Sequence, residues 1–164
     1  NQTWLEWIPD DSDCFPKFGL YNVNTEQFVL NRDDKEGLSC RACPSGTYSK
    51  QLIDNSGPTY ICEACPAGTS QASGAALACD PCVKGEYQDE LGQQFCKRCD
   101  LGDYQDEEGG AVCKECPLNS RTLQKGSFSF TDCGCEAGYI DVAQNAGELS
   151  CIECQTGLYC PVMG

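Results

Sequence analysis

The sequence predicts a small disulfide-rich fold of short β-hairpins and loops, built as an elongated repeat rod with an N-terminal β-rich cap. Three observations predict this class. Cysteine supplies 16 of the 164 residues, a proportion typical of disulfide scaffolds. Leucine, isoleucine, valine and phenylalanine make up less than a fifth of a chain with net charge −14, so one large apolar core is excluded. The cysteines also recur at a regular interval.

That interval is 17 residues. Four Cys-x-x-Cys doublets follow one another at this step, and further cysteines flank them at looser spacing. Two units are nearly duplicates, Gly-Glu-Tyr-Gln-Asp-Glu at 85–90 and Gly-Asp-Tyr-Gln-Asp-Glu at 102–107. The pattern predicts an aromatic-rich cap over residues 1–39, tandem repeats over 40–132 and divergent repeat units over 133–164.

Each repeat is predicted to turn on a glycine. The third residue after the second cysteine is Gly46, Gly68, Gly85, Gly102, Asn119, Gly138 and Gly157 in turn. Glycine and, next, asparagine best tolerate a positive φ. A tyrosine follows two residues later in most units, so we expect a turn, a short strand, a reversal and a return to the next cysteine.

The first 39 residues concentrate the bulky apolar side chains. Residues 20–30 are predicted to form two short strands around Asn24-Thr25-Glu26. Trp4 and Trp7 are candidate binding residues that could anchor a partner, or else cover the end of the first repeat.

The cysteines allow three interpretations. The favoured one is a ladder of eight disulfides in which each loop closes on itself, with other disulfide pairings across neighbouring doublets remaining open. It joins Cys14–Cys40, Cys43–Cys62, Cys65–Cys79, Cys82–Cys96, Cys99–Cys113, Cys116–Cys133, Cys135–Cys151 and Cys154–Cys160. Zinc ribbons also use such doublets, but the chain has no histidine and the doublet interval is unusually regular. Redox catalysis needs a packed helix N-terminus that this pattern does not predict.

The unit Cys43-Pro-Ser-Gly-Thr-Tyr-Ser49, followed by Cys62-Glu-Ala-Cys65-Pro-Ala-Gly-Thr69, resembles the ephrin-receptor-like cysteine-rich repeats. These are similar in turn to the first module of tumour-necrosis-factor-receptor cysteine-rich domains. The resemblance covers residues 40–160 and implies extracellular modules whose loops close on themselves. Asn119, the contracted Cys133-Gly-Cys135 and the short loop from Cys154 to Cys160 depart from the family pattern.

Other candidate sites are fewer. Acidic residues outnumber basic ones between residues 80 and 116, so this acidic face of the repeats is either a solvated surface or a place where carboxylates coordinate calcium between repeats. Tyr87 and Tyr104 occupy matching repeat positions and are candidate binding residues. Asn1-Gln-Thr3 matches the N-glycosylation pattern and predicts a glycan on Asn1.

The predicted function is an extracellular structural or adhesive module: a stalk, a spacer or a subunit of an assembly. A receptor-type ectodomain that binds a protein along its side is the alternative, and a calcium- or zinc-dependent module is a third. The expected partners are other extracellular proteins or copies of the chain. Nucleic acid is excluded by the negative charge, and no apolar run could insert in a membrane. No catalytic constellation is present, so we expect no enzyme activity and no cofactor.

Overall fold

The computed structural model describes residues 14, 16–30, 37–55, 57–145, 147–155, 157 and 160, so the predictions for Asn1, Trp4 and Trp7 lie outside the described residues. Nearly all regular structure in the described residues is short β-strand, with one 3₁₀ turn at Phe130–Asp132. The strands are β1 Phe18–Asn22, β2 Gln27–Phe28, β3 Leu38–Ala42, β4 Thr47–Asp54, β5 Gly57–Ala64, β6 Thr69–Ser70, β7 Asp80–Pro81, β8 Glu86–Tyr87, β9 Lys97–Arg98, β10 Asp103–Tyr104, β11 Lys114–Glu115, β12 Ser120–Thr122, β13 Cys133–Cys135, β14 Tyr139–Asp141 and β15 Cys151–Glu153.

The strands pair locally. Among the described residues β1 lies between β2 and β3 in a three-stranded sheet, and each later strand pairs with its immediate neighbour in sequence. The two strands predicted around Asn24-Thr25-Glu26 are present as β1 and β2, with Tyr21 opposite Phe28. Strand β1 also pairs with β3, which carries Cys40. Local pairing suits a chain with many turn residues and few apolar ones.

Eight disulfides connect the cysteines in sequence order, as in the ladder pairing. The bonded Cα atoms are 5.4–6.4 Å apart, inside the usual range for disulfides. None of the cysteines is free. Closing a loop of about 15 residues stabilises the fold by roughly 3 kcal/mol in the chain-entropy model.

The chain divides into two compact units. The first contains the described residues up to Pro66, together with Ser70–Asp80 and Glu90–Phe95. Its core is the buried cluster of Cys14, Leu20, Cys40 and Ile61, of which the three-stranded sheet supplies Leu20 and Cys40. The N–H of Cys14 donates to the buried Oγ1 of Thr59 at 3.1 Å, which ties the first cysteine to β5.

The second unit contains Ala67–Thr69, Pro81–Asp89 and the described residues from Cys96 onward. It includes the hairpins β8–β9, β10–β11, β12–β13 and β14–β15. Its buried apolar residues are all cysteines, at Cys82, Cys99, Cys133, Cys135 and Cys151. The disulfides therefore stand where aliphatic side chains would normally form the core.

The predicted class, a small disulfide-rich fold of short β-hairpins, is confirmed. The proposed boundaries at residues 39/40 and 132/133 stay a prediction. The described part of the chain contains no helix with the length and apolar character needed to cross a bilayer.

Candidate functional site

The turn of each repeat is built as the sequence predicts. Gly85 has φ +84° and takes the third place of a four-residue turn, in which the N–H of Glu86 donates to the carbonyl of Val83. Asn119, which stands where the other repeats have glycine, has φ +61°. The departure at this position is therefore conservative, because asparagine tolerates the left-handed conformation.

A glutamine three residues after the turn glycine closes the loop in two repeats, a role that was not predicted from the sequence. Gln105 is buried, its Oε1 accepts from the N–H of Glu107, and its Nε2 donates to the carbonyl of Val112 at 2.6 Å. Gln71 makes the same pair of bonds with Ser73 and Ala78. Gln88 is also buried. The signal for this role was present, because Gly-x-Tyr-Gln recurs at a step of 17 residues.

Divergent repeats place other polar side chains at the glutamine position. Thr122 occupies it after Asn119 and is buried, but its Oγ1 accepts from the N–H of Gly102 in the preceding repeat at 2.9 Å, so it joins two repeats and does not close its own loop. Asp141 occupies it after Gly138 and accepts from the N–H groups of Ala143 and Ser150. These two backbone donors hold the pKa of Asp141 below its usual value.

Backbone hydrogen bonds join each repeat to the next. The N–H of Gly68 donates to the carbonyl of Gln88, and the N–H of Gly85 donates to that of Gln105, at 2.7 and 2.8 Å. The N–H of Gln88 donates in turn to the carbonyl of Gly110 at 3.1 Å. Since buried backbone groups need partners, these bonds replace the longer strand ladders that the repeats lack.

Turn glycines also contact repeats two places further along the chain. A loop glycine, seven residues after the turn glycine of its own repeat, places its carbonyl against an earlier turn glycine. The contacts join Gly46 to Gly92, Gly68 to Gly109 and Gly85 to Gly126. A Cβ on any of these three turn glycines would overlap that carbonyl, so only glycine permits the approach.

In each of these contacts the loop glycine also lies against a second residue, the one two places after the cysteine that closes the repeat of the turn glycine. A Cβ built on Gly92 would lie 3.5 Å from Cβ of Ala64, and one on Gly126 would lie 3.4 Å from Cδ of Arg98. Pro81 takes the same place against Gly109 at 3.8 Å. We call each arrangement of a turn glycine and this second residue a glycine seat, so the three occupied seats are Gly46/Ala64, Gly68/Pro81 and Gly85/Arg98.

Much of the acidic face is paired with basic side chains. Nζ of Lys97 lies 2.7 Å from Oδ1 of Asp89, and Lys114 bonds Asp106 at the same positions one repeat later. These lysines lower the pKa of both aspartates, and Asp106 with Glu107 raises the pKa of Lys114. All of these side chains are substantially exposed, so each pair adds little to stability.

The first repeat carries the same cross-strand pair with its charges reversed. Lys50 takes the aspartate position and Glu63 the lysine position, with Nζ and Oε2 at 2.8 Å. Tyr48 also donates to Glu63. Lys50 first and Tyr48 second lower the pKa of Glu63, whereas the hydrogen bond to Glu63 raises that of Tyr48.

The repeat that begins at Gly102 has an electrostatic exception. Asp103 stands directly opposite Glu115, whereas the preceding repeat places Glu86 opposite Arg98. In the described part of the chain no basic side chain pairs with Asp103 or Glu115. Burial first, then Glu115 and Asp100, raise the pKa of Asp103.

The predicted binding tyrosines are half-buried and lie at the matched strand positions. Tyr87 pairs with Lys97 across its hairpin and Tyr104 with Lys114. The ring of Tyr104 also packs edge-on against Phe130, with ring centroids 6.0 Å apart. Nothing in the fold distinguishes a binding role for either residue from a packing role, so their role as binding residues stays a prediction.

Large apolar side chains are exposed on several repeats. Leu118 is 84 % exposed, Phe95 is 67 % exposed and Phe128 is 57 % exposed. The two phenylalanines do not occupy the same repeat position, since Phe95 is the tenth residue after its turn glycine and Phe128 the ninth after Asn119. Aromatic residues are enriched at protein interfaces.

Within the described residues no three or more histidine, cysteine, aspartate or glutamate side chains are placed to hold a metal ion. Every cysteine is bonded in a disulfide, so none is left as a thiolate ligand for zinc. Calcium binding at the acidic face stays a prediction, which melting with and without a chelator tests.

Comparison with known protein families gives one match within the repeats. Residues 96–133 match the family model described as tyrosine-protein kinase ephrin type A/B receptor-like. The matched segment runs from Cys96 to Cys133 and includes two complete disulfide loops. This segment is similar to the ephrin-receptor-like cysteine-rich repeats, the family that the motifs at residues 43–69 resemble. No curated protein sequence is significantly similar to the chain.

The match and the disulfides together indicate an extracellular domain in an oxidising environment. The matched segment is less than a quarter of the chain, and it contains Gln105, the Asp103–Glu115 pair and the loop glycines Gly109 and Gly126.

Proposed function

We propose that this chain is a structural module of an extracellular protein, acting as a spacer, a stalk or a subunit of an extracellular assembly. The observation that supports it most is the set of repeated contacts between repeats: backbone bonds to the next repeat and glycine seats filled from the next but one. Where a seat is occupied, these contacts couple a hairpin to two successors, which is what a load-bearing repeat array requires.

The module is further proposed to act without catalysis and without a bound metal. Its stability would come from covalent loops and local hydrogen bonds, and the paired charges would keep the surface soluble. Melting with and without a chelator tests the metal part of the proposal. An unchanged melting temperature is expected, whereas a fall of several degrees on chelation would support a calcium-dependent module instead.

Repeat deletion tests the spacer role. Removing residues 86–102 joins Gly85 to Asp103, restores the Gly-x-Tyr-Gln motif and leaves Cys82 to pair with Cys113 at the standard spacing. The variant should fold without free thiols, and small-angle scattering should show a largest dimension shortened by a fixed step. Deleting residues 69–102 should double that step. A largest dimension that does not change with repeat number would overturn the spacer role.

The unmatched exposed aromatics Phe95 and Phe128 favour a second candidate, a receptor-type module that binds a protein ligand along its side. In this case the immobilised chain would bind a member of a panel of purified extracellular domains saturably. Phe95→Ser and Phe128→Ser would weaken binding without changing the melting temperature, because both side chains are exposed. Equal binding by both variants would count against this role.

A further inference from the structure

The glycine seat of the repeat that begins at Gly102 differs from the three before it. Gly46, Gly68 and Gly85 are buried under a loop glycine, whereas Gly102 is only half-buried. Apart from the two chain neighbours of Gly102, no described residue lies within 4 Å of a Cβ built on it. The residue that completes this seat is Glu115, the counterpart of Ala64, Pro81 and Arg98.

The series of occupied seats ends near the contracted cysteine pair. Two places after the Gly102 repeat, the residue in the loop-glycine position is Asn145, which bonds Glu148 within its own turn. The intervening Cys133-Gly-Cys135 is one residue shorter than the other doublets, and the bond to the Asn119 carbonyl comes from Glu136 rather than from a cysteine. A one-residue change reverses the side-chain alternation that follows it.

The acidic side chains of this seat also lack a basic partner among the described residues. In the seat before it, Arg98 lies near Glu86, with Nε and Oε1 at 3.8 Å. In the Gly102 seat, Asp103 faces Glu115 and neither has a basic partner in the described residues. Leu101 is half exposed and directly precedes Gly102. Leu118 is more exposed and directly precedes Asn119, the turn residue of the next repeat.

We propose that the Gly102 seat, formed by Gly102, Glu115 and Asp103, docks a glycine-bearing segment of another extracellular protein with a basic residue next to the glycine. The occupied seats show the steric requirement, since each takes a glycine carbonyl. The unpaired Asp103–Glu115 carboxylates set the charge requirement, and the exposed leucines would add apolar contact. This surface would work equally on a spacer or on a receptor module, so it does not depend on the proposed function.

The chain itself contains a segment of this composition, because Lys125, whose Nζ lies 3.1 Å from Oδ1 of Asp100, directly precedes Gly126, which fills the Gly85 seat. The peptide Leu-Gln-Lys-Gly-Ser-Phe, identical to residues 123–128, is therefore a suitable probe. Titrated at millimolar concentration into the isotope-labelled full chain, it should shift the amide resonances of Leu101, Gly102, Asp103 and Glu115. The same peptide with glutamate in place of lysine should bind at least about tenfold more weakly.

Two variants of the full chain decide between a seat and general charge attraction. Glu115→Arg supplies the missing cation internally and should abolish the shifts. Glu153→Arg makes the same charge change at the same repeat position, where Tyr139 rather than an acid lies opposite, and should leave them in place. No shifts with the lysine peptide, or equal shifts with Glu115→Arg, would overturn the proposal. Concentration-dependent shifts without peptide would overturn it too, because a second copy would then occupy the surface.

These outcomes are independent of the deletion experiment. If the largest dimension does not change with repeat number, the spacer role is wrong but the Gly102 seat is unaffected. If the peptide does not bind, the Gly102 seat is wrong but the spacer role is unaffected.

Discussion

Single residues carry the conformational exceptions of this fold. Ala75 occupies the loop position that Gly92, Gly109 and Gly126 fill in later repeats, and its φ is +57°. Its N–H makes the same kind of bond as theirs, donating to the Cys43 carbonyl at 2.7 Å. The repeat pattern therefore imposes a left-handed conformation on a residue with a side chain, which costs about 1 kcal/mol.

Ala75→Gly should relieve this strain. We expect the free energy of unfolding to rise by about 0.5–1 kcal/mol, offset in part by the greater freedom of glycine in the unfolded chain. Chemical denaturation measures the change. Ala76→Gly is the matched control: Ala76 is absent from the positive-φ residues, so its replacement should only destabilise. Destabilisation by both variants would contradict the strain argument.

Gln105 illustrates a residue whose importance depends on burial. Gln105→Met keeps the side-chain volume but removes both bonds, leaving the Glu107 N–H and the Val112 carbonyl without this partner. The loss should be about 1–3 kcal/mol, read as faster hydrogen exchange of the Glu107 amide and a lower melting temperature. Gln94→Met, at an exposed position, should change neither. An unchanged exchange rate in Gln105→Met would contradict this role, because the Glu107 amide would then not depend on Gln105 for its protection.

At the scale of the element, each hairpin has too few ladder bonds to be stable alone, so cross-strand side chains and loop closure decide its strength. The same pair of positions carries different kinds of side-chain pair in different hairpins. Lys50–Glu63 and Asp89–Lys97 are ion pairs of reversed polarity, whereas Val142 and Ile152 are apolar at those positions in the last hairpin. The β10–β11 hairpin has the ion pair Asp106–Lys114 at those positions, but at the neighbouring pair of positions Asp103 faces Glu115, where β8–β9 has Glu86 opposite Arg98.

Asp103→Asn should therefore stabilise the protein near neutral pH by about 0.5 kcal/mol. The pKa of Asp103 is raised in the folded state, so its ionisation is unfavourable at any pH above that pKa and the penalty disappears as pH falls through it. The advantage of the variant should be largest at pH 7 and vanish below about pH 4. Glu86→Gln, which weakens an attractive pair, should give no gain at pH 7. Melting across this pH range checks both, and a gain that persists at pH 3 would contradict the argument.

At the scale of the whole molecule, disulfides substitute for a core. The buried apolar residues are few and mostly cysteines, and the only aliphatic cluster of the described residues surrounds Leu20 and Ile61. Stability should then be distributed along the ladder, with each loop contributing by restricting the unfolded chain.

Reduction should unfold the entire ladder. Dithiothreitol is expected to make all 16 cysteines available to alkylation and to abolish the β signal in circular dichroism, whereas EDTA alone should leave both unchanged. Removing one bond with Cys99→Ser and Cys113→Ser together should cost about 3 kcal/mol, with exchange rising mainly around that loop. Thiols that become reactive on chelation alone would contradict a purely disulfide-bonded chain.

The amino-acid sequence determined the class of this fold and the elements that rest on local chemistry. Cysteine content, the 17-residue period and the turn glycines predicted the hairpins, the ladder pairing and the conformation of Asn119. These features depend on neighbouring residues, whose φ preferences and loop lengths can be read directly from the chain.

Only the tertiary structure decided what lies between repeats. The buried bonds of Gln105, the pairing of each loop glycine with a turn glycine two repeats earlier, and the exposed seat at Gly102 join residues that no local pattern relates. The sequence displayed Gln105 and Gly102 as ordinary members of a repeat. Whether a turn glycine is covered depends on the path of a later repeat. The strength of each polar contact depends on its burial, which cannot be read from the sequence.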